Sequence, residues 1–534
     1  MNRFKNISLF TILLAVTAGV LLGIRGIESK LDNTIDQEQL RFSGKVADAP
    51  PIVAFSSVAL GSFRGLLADV LWLRSETLKS KKNYFEMVQL ARWITDLQPN
   101  YSGGTAYLAW NLAYNISVTS SDHEDRWYWV NEGIKLIRDK ALDYNPDDPV
   151  LYKELAWIFS HKLGNVLDDA NLYYKRQLAL QMMMILGDER PDIEALASAP
   201  ASEEAFMEIF PADHRLWGIA AAAGCKNYQE LYTLFRTPIP AALPETFKNS
   251  LGEKDFNTVQ NAFRVRLLNE KLRLDAQKMA EIDRRYGKMD WRVPESQAIY
   301  WATIGMDKNG ANDVHCMRIV TQSLQSAFRS GKLLMIRDKD GNPDIQITPN
   351  LALADAAYEN FLRAQKIEEE RHLGSAESFR SARINYLKDA IPLIYINGNV
   401  SKAKEFFQKL LKEDGPQKQK TLDEFVMVEF AEDVRDADVK KAHAVISGLI
   451  QRSILNLIYG NREAAVANER LANYIYRKYS AENRDVKRNT LPPYSQLKSG
   501  ILEWNRANLP PAMVTILNAA IAAEKAETKE EKAM

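Results

Sequence analysis

The sequence predicts an all-α protein of stacked helical hairpins, an α-solenoid, with one small β-hairpin and an N-terminal transmembrane helix. Three observations carry this. Apolar residues recur at three- and four-residue steps, as at Tyr107, Trp110, Tyr114 and Val118, or Leu90, Ile94 and Leu97, which lines them along one helix face. Breaks fall at Pro99-Asn100, Asn145-Pro146, Gly164-Asn165, Gly398-Asn399 and Gly460-Asn461, near the period of helix–turn–helix units. An uncharged run from Ile7 to Ile24 follows Arg3 and Lys5.

The uncharged run at the start is long enough to span a bilayer. At about 1.5 Å per residue it reaches about 27 Å, close to the hydrocarbon thickness of a bilayer. A retained anchor is favoured over a cleaved signal, because no A-x-A site occurs and Val16-Thr17-Ala18 would strand Val20-Leu21-Leu22 on the mature side. The positive cluster before the span orients it with the amino terminus in the cytoplasm. This predicts a single-pass inner-membrane protein, anchored through residues 7–24, with the bulk of the chain periplasmic.

Residues 25–51 read as a polar tether ending in Ala49-Pro50-Pro51. A first helical block follows over 52–187, then a central helical module over 188–350, a second block over 351–523 and a disordered tail over 524–534. The central module is set apart by an acidic, Pro-containing stretch, by Pro238, Pro240 and Pro244, and by a long charged helix from about Asn257. The β-hairpin lies within it, as KLLMIRD and PDIQIT flank Lys339-Asp340-Gly341-Asn342, a strong turn signal.

Several segments resemble tetratricopeptide repeats. Residues 382–416 carry Ala390, the Gly398-Asn399 turn, Ala403, Phe407 and Pro416. Residues 449–476 carry Ser453, Gly460-Asn461, Ala465 and Ala472, and residues 148–179 carry Ala156, Phe159, Gly164-Asn165, Ala170 and Tyr174. In each, small residues let two helices approach, and the glycine supplies a positive-φ turn. The resemblance implies a scaffold that binds other proteins in envelope assembly, secretion or pilus biogenesis.

Composition limits the alternatives. The chain has 534 residues, 46% hydrophobic, which excludes a mostly disordered protein. Lys and Arg total 69, as do Asp and Glu, so no basic excess points to nucleic acid. Two cysteines, Cys225 and Cys316, leave one disulfide open but no framework. The six histidines are scattered, and no H-E-x-x-H, phosphate-binding glycine loop or G-x-S-x-G occurs. Asp338, Asp340, Asn342 and Asp344 alternate like calcium ligands, but the glycine falls too early and Pro349 stands where the closing glutamate belongs. No catalytic residue, cofactor or metal is therefore expected.

The expected partners are other proteins, membrane or envelope components among them, and the membrane itself. Trp110, Asn111, Tyr114, Asn115, Trp127 and Trp129 are the candidate contacts, because tryptophans crowd the first 160 residues. Trp127 and Trp129 point about 200° apart on a helix, so one should face outward unless that helix is buried nearly all round. Two other readings stand beside this one. An envelope enzyme or regulatory subunit would gather Asp290, Arg292, Glu295 and His315 in the central module, and a glycan-binding protein would expose its tryptophans in a row.

Overall fold

In the computed structural model the chain is all-α with one small antiparallel hairpin. The structure describes residues 63–531 apart from 82, 166, 188–189, 239, 309–312, 338–342, 372–373, 375, 415–420, 436–438 and 484–490, together with 19, 23, 26 and 30. It divides into two compact units, one of residues 1–101 with 143–146 and the other of 102–142 with 147–534.

The fold does not bear out the membrane expectation. Among the described residues no helix is long and apolar enough to cross a membrane. The long helices are interrupted by charge: Phe63–Ser80 alone carries Asp69, Arg74, Glu76 and Lys79, each costly at mid-bilayer. The span expected at residues 7–24 lies outside the described residues except for Gly19 and Gly23. The anchor, the inner-membrane and periplasmic address, and the membrane and envelope partners therefore have no support in the fold and are dropped.

The first unit holds α1 (Phe63–Ser80) and α2 (Tyr84–Leu97), which pack as a hairpin around Asn83. Arg74 and Glu86 form an ion pair across it, and Tyr144 donates to Asp96 at 3.0 Å.

The second unit begins with three helices that share an unusual feature. Each of α3 (Ser102–Trp110), α4 (His123–Lys135) and α5 (Pro149–Trp157) runs directly into a π-helical stretch, at Asn111–Ile116, Leu136–Ala141 and Ile158–Leu163 respectively. Such wide turns are rare and gather at functional sites. After α6 (Asn171–Leu186) come five short helices: α7 (Ile193–Ala197), α8 (Glu203–Ile209), α9 (Arg215–Ala222), α10 (Tyr228–Arg236) and α11 (Glu245–Leu251). The longer α12 (Glu253–Leu272), α13 (Ala276–Tyr286), α14 (Pro294–Asp307) and α15 (Asp313–Ser330) complete this part.

Helix α14 joins residues 188–350 to the helices before them. It is buried on nearly every face from Pro294 to Thr303, the mark of a helix surrounded by others. It packs against α5 with its π-helical extension on one side and α15 on the other.

Strands β1 (Lys332–Arg337) and β2 (Pro343–Thr348) pair from Lys332 opposite Thr348 to Arg337 opposite Pro343. The hairpin is therefore where the sequence places it, although its turn lies outside the described residues. A buried ion pair docks it. Asp290 accepts from the Leu333 N–H at 3.0 Å, Arg292 donates to the Leu333 carbonyl at 3.0 Å, and the two side chains meet at 2.9 Å. Leu333 packs with Ala179 and Val293.

The C-terminal part comprises α16 (Ala354–Glu370), α17 (Ala376–Ile396), α18 (Val400–Glu413), α19 (Leu422–Arg435), α20 (Val439–Ile458), α21 (Arg462–Glu482), α22 (Tyr494–Asn508) and α23 (Pro511–Glu531). The last helix runs through most of the segment read as a tail. Gly398 and Gly460 adopt φ of 88° and 73°, and Asn399 and Asn461 cap the helices that follow by accepting from Lys402 and Ala464 N–H groups. Ala390, Ala403, Ala465 and Ala472 are buried at the helix contacts. Gly164 departs from this pattern, with φ −76°. It ends a π-helical stretch by donating to the Phe159 carbonyl at 2.9 Å. Glycine is required there because a Cβ would lie 2.7 Å from the Ser160 oxygen.

The two positive-φ glycines differ in their surroundings. A Cβ at Gly398 would come within 2.8 Å of Ala464 and Asn461 in the neighbouring turn, whereas one at Gly460 meets nothing within 4 Å. Gly460→Ala should cost about 1–2 kcal/mol from left-handed strain alone. Gly398→Ala should cost about 1–3 kcal/mol more from overpacking. Urea denaturation of both variants checks this, and equal losses would show that the two turns do not stack.

Candidate binding groove

Three helices distant in sequence present the same spacing to one cavity of about 680 Å³. Helix α3 contributes Gly103, Ala106, Tyr107 and Trp110; α5 contributes Val150, Lys153, Glu154 and Trp157; α15 contributes His315, Arg318, Ile319 and Gln322. Each set is an i, i+3, i+4, i+7 stripe, the pattern that makes one continuous helix face two turns long. The volume is that of a ligand pocket.

The groove carries aromatic surface that ordinary packing would hide. Tyr107 is 45% exposed and Trp110 37% exposed, with Trp157 half-buried beside them. Behind this surface four rings link two of the walls. Trp110 stacks on Tyr114 at 5.6 Å, Tyr114 meets His161 at 5.8 Å, and His161 stacks on Trp157 at 4.6 Å. Burial, reinforced by the Lys162 charge, lowers the pKa of His161, so the ring is neutral at pH 7 and the Tyr114 hydroxyl lies 3.4 Å from its Nδ1. The π-helical turns begin at the residue after Trp110 and the residue after Trp157.

A buried charge cluster supports this stack from below. Lys162 sits 5.4 Å above the Tyr114 ring and pairs with Asp168 at 2.5 Å, which also accepts from Arg126 at 2.6 Å. Burial pushes the Asp168 pKa upward, but the bonds from Lys162 and the Ala170 N–H and the charges of Lys162 and Arg126 outweigh it and hold the carboxylate below its usual range.

The residues singled out from the sequence are divided by the structure. Trp110 lines the groove, and Tyr114 is stacked directly behind it. Asn111 is buried: its amide donates to the Tyr107 carbonyl at 3.2 Å and its oxygen accepts from Asn115 at 2.6 Å. Both of these bonds lie within one helical stretch. Trp127 and Trp129 are both inside, at 9% and 5% exposure, because α4 is enclosed on most faces; Tyr128 between them is the exposed ring. Tyr107, whose helical spacing was visible, and Trp157, in the next wall, share the groove with Trp110. The α15 wall had no local signal, since only the tertiary fold brings it there.

The enzyme alternative loses its constellation. Asp290 and Arg292 hold each other and Leu333, and His315 lies on the groove wall. Glu295 is fully buried, with neither carboxyl oxygen hydrogen-bonded. Among the described residues no group of three or more His, Cys, Asp or Glu could hold a metal. Cys225 and Cys316 are both buried, and no disulfide joins them.

No protein-family model matches the chain, and neither does any curated protein or solved structure. The geometry therefore defines the class: an all-α protein whose distant helices converge on an aromatic groove.

Burial raises the Glu295 pKa to about 6 against the partial opposition of Lys175. Folding therefore favours the protonated carboxyl, and this group's contribution to stability falls as pH rises from about 4.5 to above 6. The loss from Glu295 is about 2 kcal/mol. Glu295→Gln should remove that part of the slope in denaturation curves measured from pH 4 to 8. An unchanged slope would show that Glu295 is solvated.

Proposed function

We propose that this chain is a peptide-binding helical protein, and that the groove between α3, α5 and α15 takes an extended segment of a partner protein. The observation that carries the reading is the convergence of three helical stripes on one cavity that leaves Tyr107 and Trp110 partly exposed. Tyrosine, tryptophan and arginine are the residues on which binding energy concentrates at interfaces. Lys153 and Arg318 are the two cationic residues of the lining and Glu154 its one carboxylate, which pairs with Lys153. The exposed rings favour a ligand with an aromatic or branched aliphatic anchor, and the excess of basic over acidic residues in the lining favours an acidic residue beside it. The likeness of the Gly398-Asn399 and Gly460-Asn461 hairpins to tetratricopeptide repeats supports a role in contact rather than catalysis.

Selection of peptides from a displayed library on the immobilised full chain tests the reading. Trp110→Ala and Trp157→Ala should each weaken a selected peptide by about tenfold or more, the effect of removing an interface tryptophan. Arg318→Glu should weaken acidic peptides while leaving the circular dichroism spectrum unchanged. Peptides that bind all three variants as well as the native chain, or oligosaccharides that bind in their place, would contradict it.

A further inference from the structure

Helix α1, in the first unit, presents an apolar stripe to solvent. Leu66, Val70, Leu73 and Thr77 follow one another at steps of four, three and four, the spacing of the a and d positions of a coiled-coil heptad with Val70 and Thr77 at a. Leu66, Val70 and Leu73 are 61%, 53% and 72% exposed, and Thr77 is exposed with them. The opposite f positions, Ala68 and Ser75, are buried, as expected of the face that closes the hairpin on α2. Single exposed aliphatic side chains are ordinary at a protein surface, but a stripe in strict register is shaped for another helix.

The flanking charges select the occupant. Heptad positions g carry Asp69 and Glu76, and positions e carry Leu67, Arg74 and Lys81; all five are exposed. Lys81 follows the last residue of α1, and its N–H still donates to the Thr77 carbonyl at 3.2 Å, which continues the turn. When two copies of α1 lie parallel, each g residue meets the e residue five positions further along the other copy. Asp69 then faces Arg74 and Glu76 faces Lys81, opposite charges on both sides of the seam. An antiparallel pair would set g against g and e against e, acid against acid and base against base. The seam agrees, since β-branched residues at a with leucine at d favour two parallel strands. Arg74 also holds Glu86 in its own chain and Glu76 reaches Lys79 at 3.9 Å, yet both side chains stay more than half exposed.

We propose that α1 is the dimerisation element of this protein, pairing in parallel with α1 of a second copy along Leu66, Val70, Leu73 and Thr77. The helix is already formed in its hairpin with α2, so association avoids the cost of helix nucleation. The seam spans about two heptads, at the small end of specific interfaces, so the dimer is reversible and depends on concentration.

Sedimentation equilibrium of the full chain across the micromolar range tests this, with a monomer–dimer equilibrium expected. Leu73→Glu, at an exposed position, should weaken the dimer by about tenfold or more, with the circular dichroism spectrum and melt of the dilute protein unchanged. Glu76→Lys and Lys81→Glu should each weaken self-association several-fold, because each sets like charges opposite one another. An equimolar mixture of those two variants should recover it. Thr77→Cys should give a covalent dimer on mild oxidation, since parallel pairing sets the two copies of position 77 side by side, while Cys225 and Cys316 are buried. A native chain that stays monomeric, which includes the case of residues 1–62 covering the seam, would overturn the proposal. So would association that survives Leu73→Glu, or a dimer that Thr77→Cys fails to cross-link.

Discussion

Two walls of the aromatic groove are held at their spacing by a residue with no side chain. Gly305 lies on α14, the buried helix between α5 and α15. A Cβ there would approach both Cys316 of α15 and Tyr152 of α5 to 3.0 Å, tighter than packed interiors tolerate without displacement. The same constraint recurs at α4, where a Cβ on Gly133 would stand 2.7 Å from the Ala109 carbonyl of α3. The stripe from Val150 to Trp157 can thus face the stripe from His315 to Gln322 because the helix behind them permits contact on both sides.

Charge in the interior is used for position. The Asp290–Arg292 pair engages both the N–H and the carbonyl of Leu333, so a two-stranded hairpin too small to be stable alone is fixed to the helices. Lys162, Asp168 and Arg126 likewise fix the loop after α5 beneath the ring stack that ends at Trp157. Such buried pairs add little net stability over apolar substitutes, and removing one partner strands the other. Their value here is to specify where a hairpin and a loop sit.

Local chemistry was the part of the structure open to reading from the amino acids. Gly398 and Gly460 need positive φ, and Asn399 and Asn461 are good caps, so those turns could be placed within a residue. The hairpin strands were legible for the same reason. Gly164-Asn165 has the same letters but a different cause, because a π-helical ending and a crowded carbonyl demand the glycine there. Trp127 and Trp129 were ambiguous because their spacing allows either an exposed ring or an enclosed helix, and only neighbouring helices decide that. The groove was half visible: Trp110 stood out, while Arg318 and Ile319 join it solely because α14 brings α15 against α5. The apolar run at residues 7–24 carried more functional weight than it could bear, since nothing in the described fold extends it into a membrane protein.

The central claim is that a partner segment lies across all three helices at once. A selected peptide carrying a photoreactive benzoyl group in place of its anchor side chain, irradiated with the native chain and mapped by mass spectrometry, measures this directly. Adducts should fall on α3, α5 and α15, around Tyr107, Trp157 and Gln322. Adducts confined to α17–α21, or scattered without preference, would contradict the account.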